Sequence, residues 1–271
     1  MSDDERKPVS PTGQNGDTAG EEKDAMARLK WVMETLLSEN GCPWDKVQTH
    51  DTLKPYLLEE CYEVVDAIDA HDDASLCEEL GDVLFQVVFH AQLAQNRGAF
   101  TLEDVARQVC DKMISRHTHI FGKDKANTPE EVMQYWDKAK KQEKGYQSTT
   151  DAMRRVTRAL PATLRAEKVQ KLAAKKGYGY TDVSEALQDM LEMAQKLAKA
   201  SDSQMRPQIL ELYGNLSFAL AAISRFLEIN AEFALTNATE TYINRFERYE
   251  NMPDSAGKVL EQMDSADNRI F

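Results

Sequence analysis

Apolar residues recur with a helical period almost from where they first cluster. Leu29, Val32, Met33, Leu36 and Leu37 follow the i, i+3, i+4, i+7 spacing that turns one stripe of a helix toward a core. The stretch ENGCPWDK then breaks the pattern with Gly41 and Pro43. A second predicted helix runs from about Leu53 to Ala70 and closes in the polar turn HDDAS; a third runs from Leu76 to about Asn96. Thr101, with Asp104 three residues on, reads as the capping-box start of a fourth. Thr128-Pro129-Glu130-Glu131 reads as another start, with proline at the first helical position. No segment alternates with period two between turns, so the pattern predicts an all-α chain.

The pattern also divides the chain. Residues 1–24 are polar, with Pro8, Pro11 and three glycines, and read as a disordered tail. A helical domain follows over 25–145, then a polar, aperiodic linker over 146–160, a second helical domain over 161–250 and a C-terminal tail over 251–271. The second half echoes the first. KKGYGYTD stands where the first half has ENGCPWDK, and LYGNLSFALAAI where it has EELGDVLFQVVF. Gly81, Phe85 and Phe100 pair with Gly214, Phe218 and Phe233 at one constant offset, which points to a tandem copy.

Charge changes the functional picture. Of 271 residues, 33 are Lys or Arg and 46 are Asp or Glu, a net charge of −13. That argues against a nucleic-acid binder with a basic surface. A phosphate substrate stays open if metal ions supply positive charge. Cys42, Cys61, Cys77 and Cys110 show no Cys-x-x-Cys spacing and read as reduced thiols of a cytoplasmic protein. No apolar run reaches the ~18 residues of a membrane span. The opening MSDDERKPVS lacks the apolar core of a signal peptide.

The candidate chemistry lies in two helices. In LLEECYEVVDAI, Leu57, Cys61, Val64 and Ile68 form one stripe, while Glu59, Glu60, Glu63 and Asp66 crowd the other side. Glu60 and Glu63 are i, i+3 neighbours, and Glu79 and Asp82 repeat that spacing on the next helix. A short turn joins the helices, so they are expected to pack antiparallel with the two pairs facing each other. Converging carboxylates repel, and a divalent cation relieves this. All-oxygen ligation suits magnesium or manganese rather than zinc. A solvated helix face is the plain alternative, and for Glu59 and Asp66 alone it explains them equally well.

Rival chemistries find less support. No Glu has a His three residues later, as a di-iron bundle requires. His50-Asp51 and His71-Asp72 fall in polar turns and lack an evident partner histidine. There is no glycine-rich phosphate loop. Lys112 and Arg116 are i, i+4 on the fourth helix, and Trp136 and Lys140 are i, i+4 on the fifth. They can serve a triphosphate and a base, although by themselves they read as snorkelling cations and a core-edge tryptophan.

Taken together these residues resemble the MazG family of nucleoside triphosphate pyrophosphohydrolases. The family motif, Glu-Glu-x-x-Glu followed by Glu-x-x-Asp, stands here as Glu59-Glu60-x-x-Glu63 and Glu79-x-x-Asp82. ENGCPWDKVQTHDTLKPY and EELGDVLFQVVF are similar to family motifs too. The resemblance implies tandem all-α bundles forming a homodimer. It implies hydrolysis of NTPs or dNTPs to the monophosphate and pyrophosphate, with Mg²⁺ required and Mn²⁺ as a substitute. It places metal on Glu60, Glu63, Glu79 and Asp82, and the attacking water on Glu59. Lys112, Arg116, Trp136 and Lys140 fall where the family contacts nucleotide and phosphates, and Trp44 is a further candidate for the base. The C-terminal copy departs from the motif. The first triplet becomes Gln188, Asp189 and Glu192, and the second pair becomes Leu212 and Asn215. That half is expected to be catalytically dead and to serve packing, dimerisation or regulation. The alternative for the whole chain is a nucleotide-binding regulator without turnover.

Overall fold

The computed structural model describes residues 24–201 and 206–250. The two expected tails, apart from Asp24, lie outside the described residues. Among the described residues the chain is helical and has no strand. The elements are α1 (Ala25–Leu36), a 3-10 turn (Asp45–Val47), α2 (Lys54–Asp69), α3 (Asp73–Asn96), α4 (Leu102–Arg116), α5 (Thr118–Phe121) and α6 (Pro129–Lys144). They continue as α7 (Thr149–Arg154), α8 (Ala162–Ala174), α9 (Val183–Ala200), α10 (Arg206–Phe226) and α11 (Ala231–Glu250). The chain divides into two compact units, residues 1–139 and 140–271, with the division falling inside α6.

In the first unit α1 and α3 close a core of Met33, Leu53, Val88 and Phe89, surrounded by Leu29, Leu37, Leu84, Phe85, Leu93 and Leu102. Leu29, Met33 and Leu37 come from the stripe that the 3.6 period marks on α1. Behind α1 the chain doubles back so tightly that a Cβ on Gly41 would lie 2.1 Å from the Leu36 carbonyl oxygen. Only glycine fits there, and the turn delivers Trp44 and the 3-10 segment.

Helix starts follow the local chemistry. Thr101 and Asp104 form the expected reciprocal capping box on α4. α3 begins at Asp73, three residues before the expected start, because Asp72 accepts from the amides of Ala74 and Ser75. A first helical turn needs a cap rather than an apolar stripe, so periodicity begins late. The α2–α3 turn is only Ala70–Asp72; His71 sits there at φ 55, and Asp72 N–H reaches the Ala67 carbonyl. Two packed helices joined by so few residues run antiparallel.

The stretch 146–160, expected to be an aperiodic linker, contains α7. Ser148 caps it and it packs on α8. Six residues are too few to display a period. In the second unit α9 packs on α10 over small buried residues, among them Ala186, Ala200, Ala219, Ala221 and Ala222. This pairing repeats that of α2 with α3.

Candidate active site

The α2–α3 pair carries the acidic constellation. Glu60 projects from α2, and Glu79 and Asp82 from α3; each offers a carboxylate oxygen within 4.8 Å of the others. Among the described residues this is the group of three acidic or His/Cys side chains suited to hold a metal ion. Glu60 and Glu79 are half-buried, while Asp82 and Glu63 are exposed.

The electrostatics are those of crowded like charges. Partial burial, a hydrogen bond with Glu63 and the charges of Asp82 and Glu63 raise the Glu60 carboxyl above its usual 4.5. Partial burial raises Glu79 as well, helped by the charges of Glu63, Glu78 and Asp82 and a hydrogen bond with Glu63. Glu63 thus acts on a carboxyl of each helix, Glu60 on α2 and Glu79 on α3. Glu59 is exposed and makes no hydrogen bond or ion pair. A cluster in which two acids cling to protons is one that a hard divalent cation would relieve.

Gln86 was not among the candidates. It is buried, one turn beyond Asp82 on α3, and hydrogen-bonds Glu60 in a sense that favours the carboxylate. Its Oε1 is buried without a partner. The i+4 spacing from Asp82 was the available sequence signal, but a glutamine in VLFQVVF reads as an interruption of a core run. Gly81, between the acids, meets nothing within 4 Å of an added Cβ, so no packing inside this chain demands it.

A second constellation forms in the same unit. Arg116 is buried at the C-terminal end of α4, with its guanidinium carbon 5.1 Å from the centroid of the Trp136 ring of α6. His117 meets the same ring edge to face, 5.3 Å between centroids at 80°. The structure thus brings Arg116 and Trp136 together. Lys112 is half-buried one turn earlier on α4. Lys140 is exposed on α6, past the division at residue 139. Trp44 is exposed and packs edge-on against Tyr56 at 5.9 Å, one turn before Glu60 on α2.

The histidine–aspartate pairs serve local structure. His50 stacks on His90 with Nδ1 atoms 2.8 Å apart, and Asp51 pairs with Lys54. Burial pushes His90 below its usual value, as does the charge of His50. His71 occupies the α2–α3 turn and Asp72 caps α3.

The equivalent place in the second unit looks different. Asp189 accepts a hydrogen bond from the Tyr180 hydroxyl, and Glu192 lies 3.9 Å from Lys196. Leu212 and Asn215 take the positions of Glu79 and Asp82. The two surviving acids are thus each matched by a partner from the same unit.

Comparison with known proteins agrees with the motif. The MazG nucleotide pyrophosphohydrolase domain model matches residues 48–121, which span both acidic pairs and Arg116. The nucleoside triphosphate pyrophosphohydrolase/pyrophosphatase MazG of Thermotoga maritima is 40% identical over 232 residues, covering 86% of this chain and 88% of that protein. A nucleoside triphosphate pyrophosphohydrolase of Escherichia coli K12 is 38% identical over 240 residues, 88% and 91% of the two chains. A solved mazG-related protein from Thermotoga maritima is 31% identical, covering 42% of this chain and 98% of that one with a TM-score of 0.38. With two acidic pairs on facing helices and full-length relatives of this kind, the chain belongs to the MazG family of nucleoside triphosphate pyrophosphohydrolases.

Proposed function

We propose that residues 25–145 carry the hydrolysis of nucleoside triphosphates to monophosphate and pyrophosphate, and that the second helical unit does not. The observation behind this location is the convergence of Glu60, Glu79 and Asp82 within 4.8 Å, against Leu212 and Asn215 in the second unit.

The residues fit a hard divalent cation, since every donor is a carboxylate and two of them are proton-hungry without a counter-charge. Glu60, Glu63, Glu79 and Asp82 would hold it; Mg²⁺ is the proposed ion and Mn²⁺ a substitute. When bound, such an ion neutralises charge on phosphate oxygens and lowers the pKa of the attacking water. Glu59, exposed and unpaired beside Glu60, is assigned the water proton. Water forms the new P–O bond in line at the α–β phosphate junction. The bridging anhydride bond breaks, and the leaving oxygen departs with the electron pair. Arg116 and Lys112 bind phosphate oxygens, Arg116 through a planar fork of donors. Trp136 and Trp44 present ring surfaces on which a base can stack.

The second unit is assigned packing, dimerisation or regulation. A homodimer is supported by the apolar side chains that α2 and α3 leave exposed, Leu58, Tyr62, Ile68 and Leu80. A cytoplasmic location is supported by four cysteines, none of them in a disulfide.

Pyrophosphate release from a panel of NTPs and dNTPs with Mg²⁺ tests the reading. Release with at least one nucleotide is expected. Nucleotide binding without release from any of them would overturn it and favour a regulator.

A further inference from the structure

His117 lies outside the acidic motif and outside the set Lys112, Arg116, Trp136 and Lys140, yet both its backbone and its ring are tied down. It ends α4 and precedes α5, with φ −105 and ψ 53, so the chain leaves the helix at this residue. Its backbone N–H donates to the Met113 carbonyl at 3.0 Å, and its ring Nδ1 lies 2.7 Å from the same oxygen. A carbonyl only accepts, so Nδ1 carries the proton and donates. Two bonds to one carbonyl leave the imidazole little freedom to rotate.

That fixed ring is what Trp136 packs on. The two rings meet at 5.3 Å and 80°, a favourable edge-to-face geometry, while Arg116 covers the indole at 5.1 Å. The His119 ring backs His117 at 5.7 Å. Helix α6 has no extensive packing against another helix among the described residues, so the indole is a principal tie between α6 and α4.

We infer that His117 is a positioning residue: it fixes the Trp136 ring beside Arg116 so that both can meet the nucleotide in one arrangement. This rests on the reading of Trp136 and Arg116 as nucleotide contacts. Its effect belongs in KM, since the acids that carry out the reaction are elsewhere on α2 and α3.

The test is a cycle of His117→Ala, Trp136→Ala and the double variant, assayed for nucleotide hydrolysis with Mg²⁺. His117→Ala should raise KM about tenfold with kcat within about twofold, a loss of roughly 1.4 kcal/mol in binding. The double variant should be no worse than Trp136→Ala, because His117 acts through that ring. In a Trp31→Phe/Trp44→Phe background, acrylamide should quench Trp136 fluorescence more readily once His117 is alanine. His117→Phe, which keeps a ring, should recover part of KM. If His117→Ala and Trp136→Ala add in full, or quenching is unchanged, the positioning role is overturned. If Trp136→Ala leaves KM unchanged, the nucleotide-contact reading fails, and the inference with it, whatever His117 does.

Discussion

The Arg116 guanidinium lies 5.1 Å from the Trp136 ring centroid, joining a residue of α4 to one of α6 twenty positions later. Both had been candidates on separate i, i+4 pairs; the structure makes them neighbours. Arg116 is buried at a helix C-terminus, where the dipole favours its charge. Lysine keeps that charge but not the planar stacking or the fork of donors. Arg116→Lys should raise KM roughly 5- to 30-fold, the equivalent of about 1–2 kcal/mol, with a smaller change in kcat. Steady-state kinetics with saturating Mg²⁺ reads this directly.

Removing a carboxylate from the trio separates chemistry from fold. Asp82→Asn should lower turnover by at least about a hundredfold, since it takes one charged donor from the metal set. Its melting temperature without metal should not fall, because a repelling charge has gone from an exposed position. The mirror change, Asn215→Asp, should leave turnover as it was and should not rescue Asp82→Asn. Full activity in Asp82→Asn would place the site elsewhere.

The raised carboxyls of Glu60 and Glu79 fix a sign for pH dependence. The fold holds these protons more tightly than the unfolded chain does. Their contribution to stability is therefore full below the ordinary glutamate value and is lost as pH rises through the raised one. Asp51, Asp72, Asp104, Glu130 and Asp151 are lowered by hydrogen bonds or cations and act the other way, losing stability as pH falls through their depressed values. In chelator, Tm should rise as pH falls from neutral toward the ordinary glutamate value of 4.5 and drop on further acidification through the depressed carboxyls. Glu60→Gln with Glu79→Gln should flatten the first limb. Protons compete with the cation, so the Tm gain from Mg²⁺ should shrink over the same window. Scanning calorimetry at several pH values measures all three.

In the second unit Tyr180 and Asp189 provide an independent probe. Burial, the hydrogen bond to Asp189 and the charges of Asp189 and Glu185 push the Tyr180 phenol up to about 12. Asp189→Asn should bring it down toward the ordinary 10, visible as one tyrosine titrating earlier in ultraviolet absorbance. Tyr180→Phe leaves a half-buried carboxylate without that donor, costing about 1 kcal/mol and about 2–4 °C in Tm, with turnover unchanged. A loss of turnover would mean that the second unit takes part in the reaction.

The helical fold was legible because it is written locally. Leu29, Met33 and Leu37 share one face of a helix wherever that helix packs, and Thr101 with Asp104 caps α4 through its own neighbours. The acid pairs were legible for the same reason, since i, i+3 spacing fixes Glu60 to Glu63 and Glu79 to Asp82 before any tertiary contact forms. Even their convergence followed from a three-residue turn, which leaves antiparallel packing as the arrangement available to α2 and α3.

What the sequence could not rank was everything that depends on distance in space. Gln86 looked like a flaw in a core run until the packing of α2 on α3 put Glu60 beside it. His117 carries no spacing signal, and only the fold sets its ring between the Met113 carbonyl and the Trp136 indole. The stretch around α7 showed no period because one and a half turns are too short to repeat. Spacing along a helix sets which residues share a face, so the sequence alone determined the helices and the candidate acids. Burial, proton affinity and the grip on Trp136 arise from groups distant in the chain, and only the tertiary structure decided them.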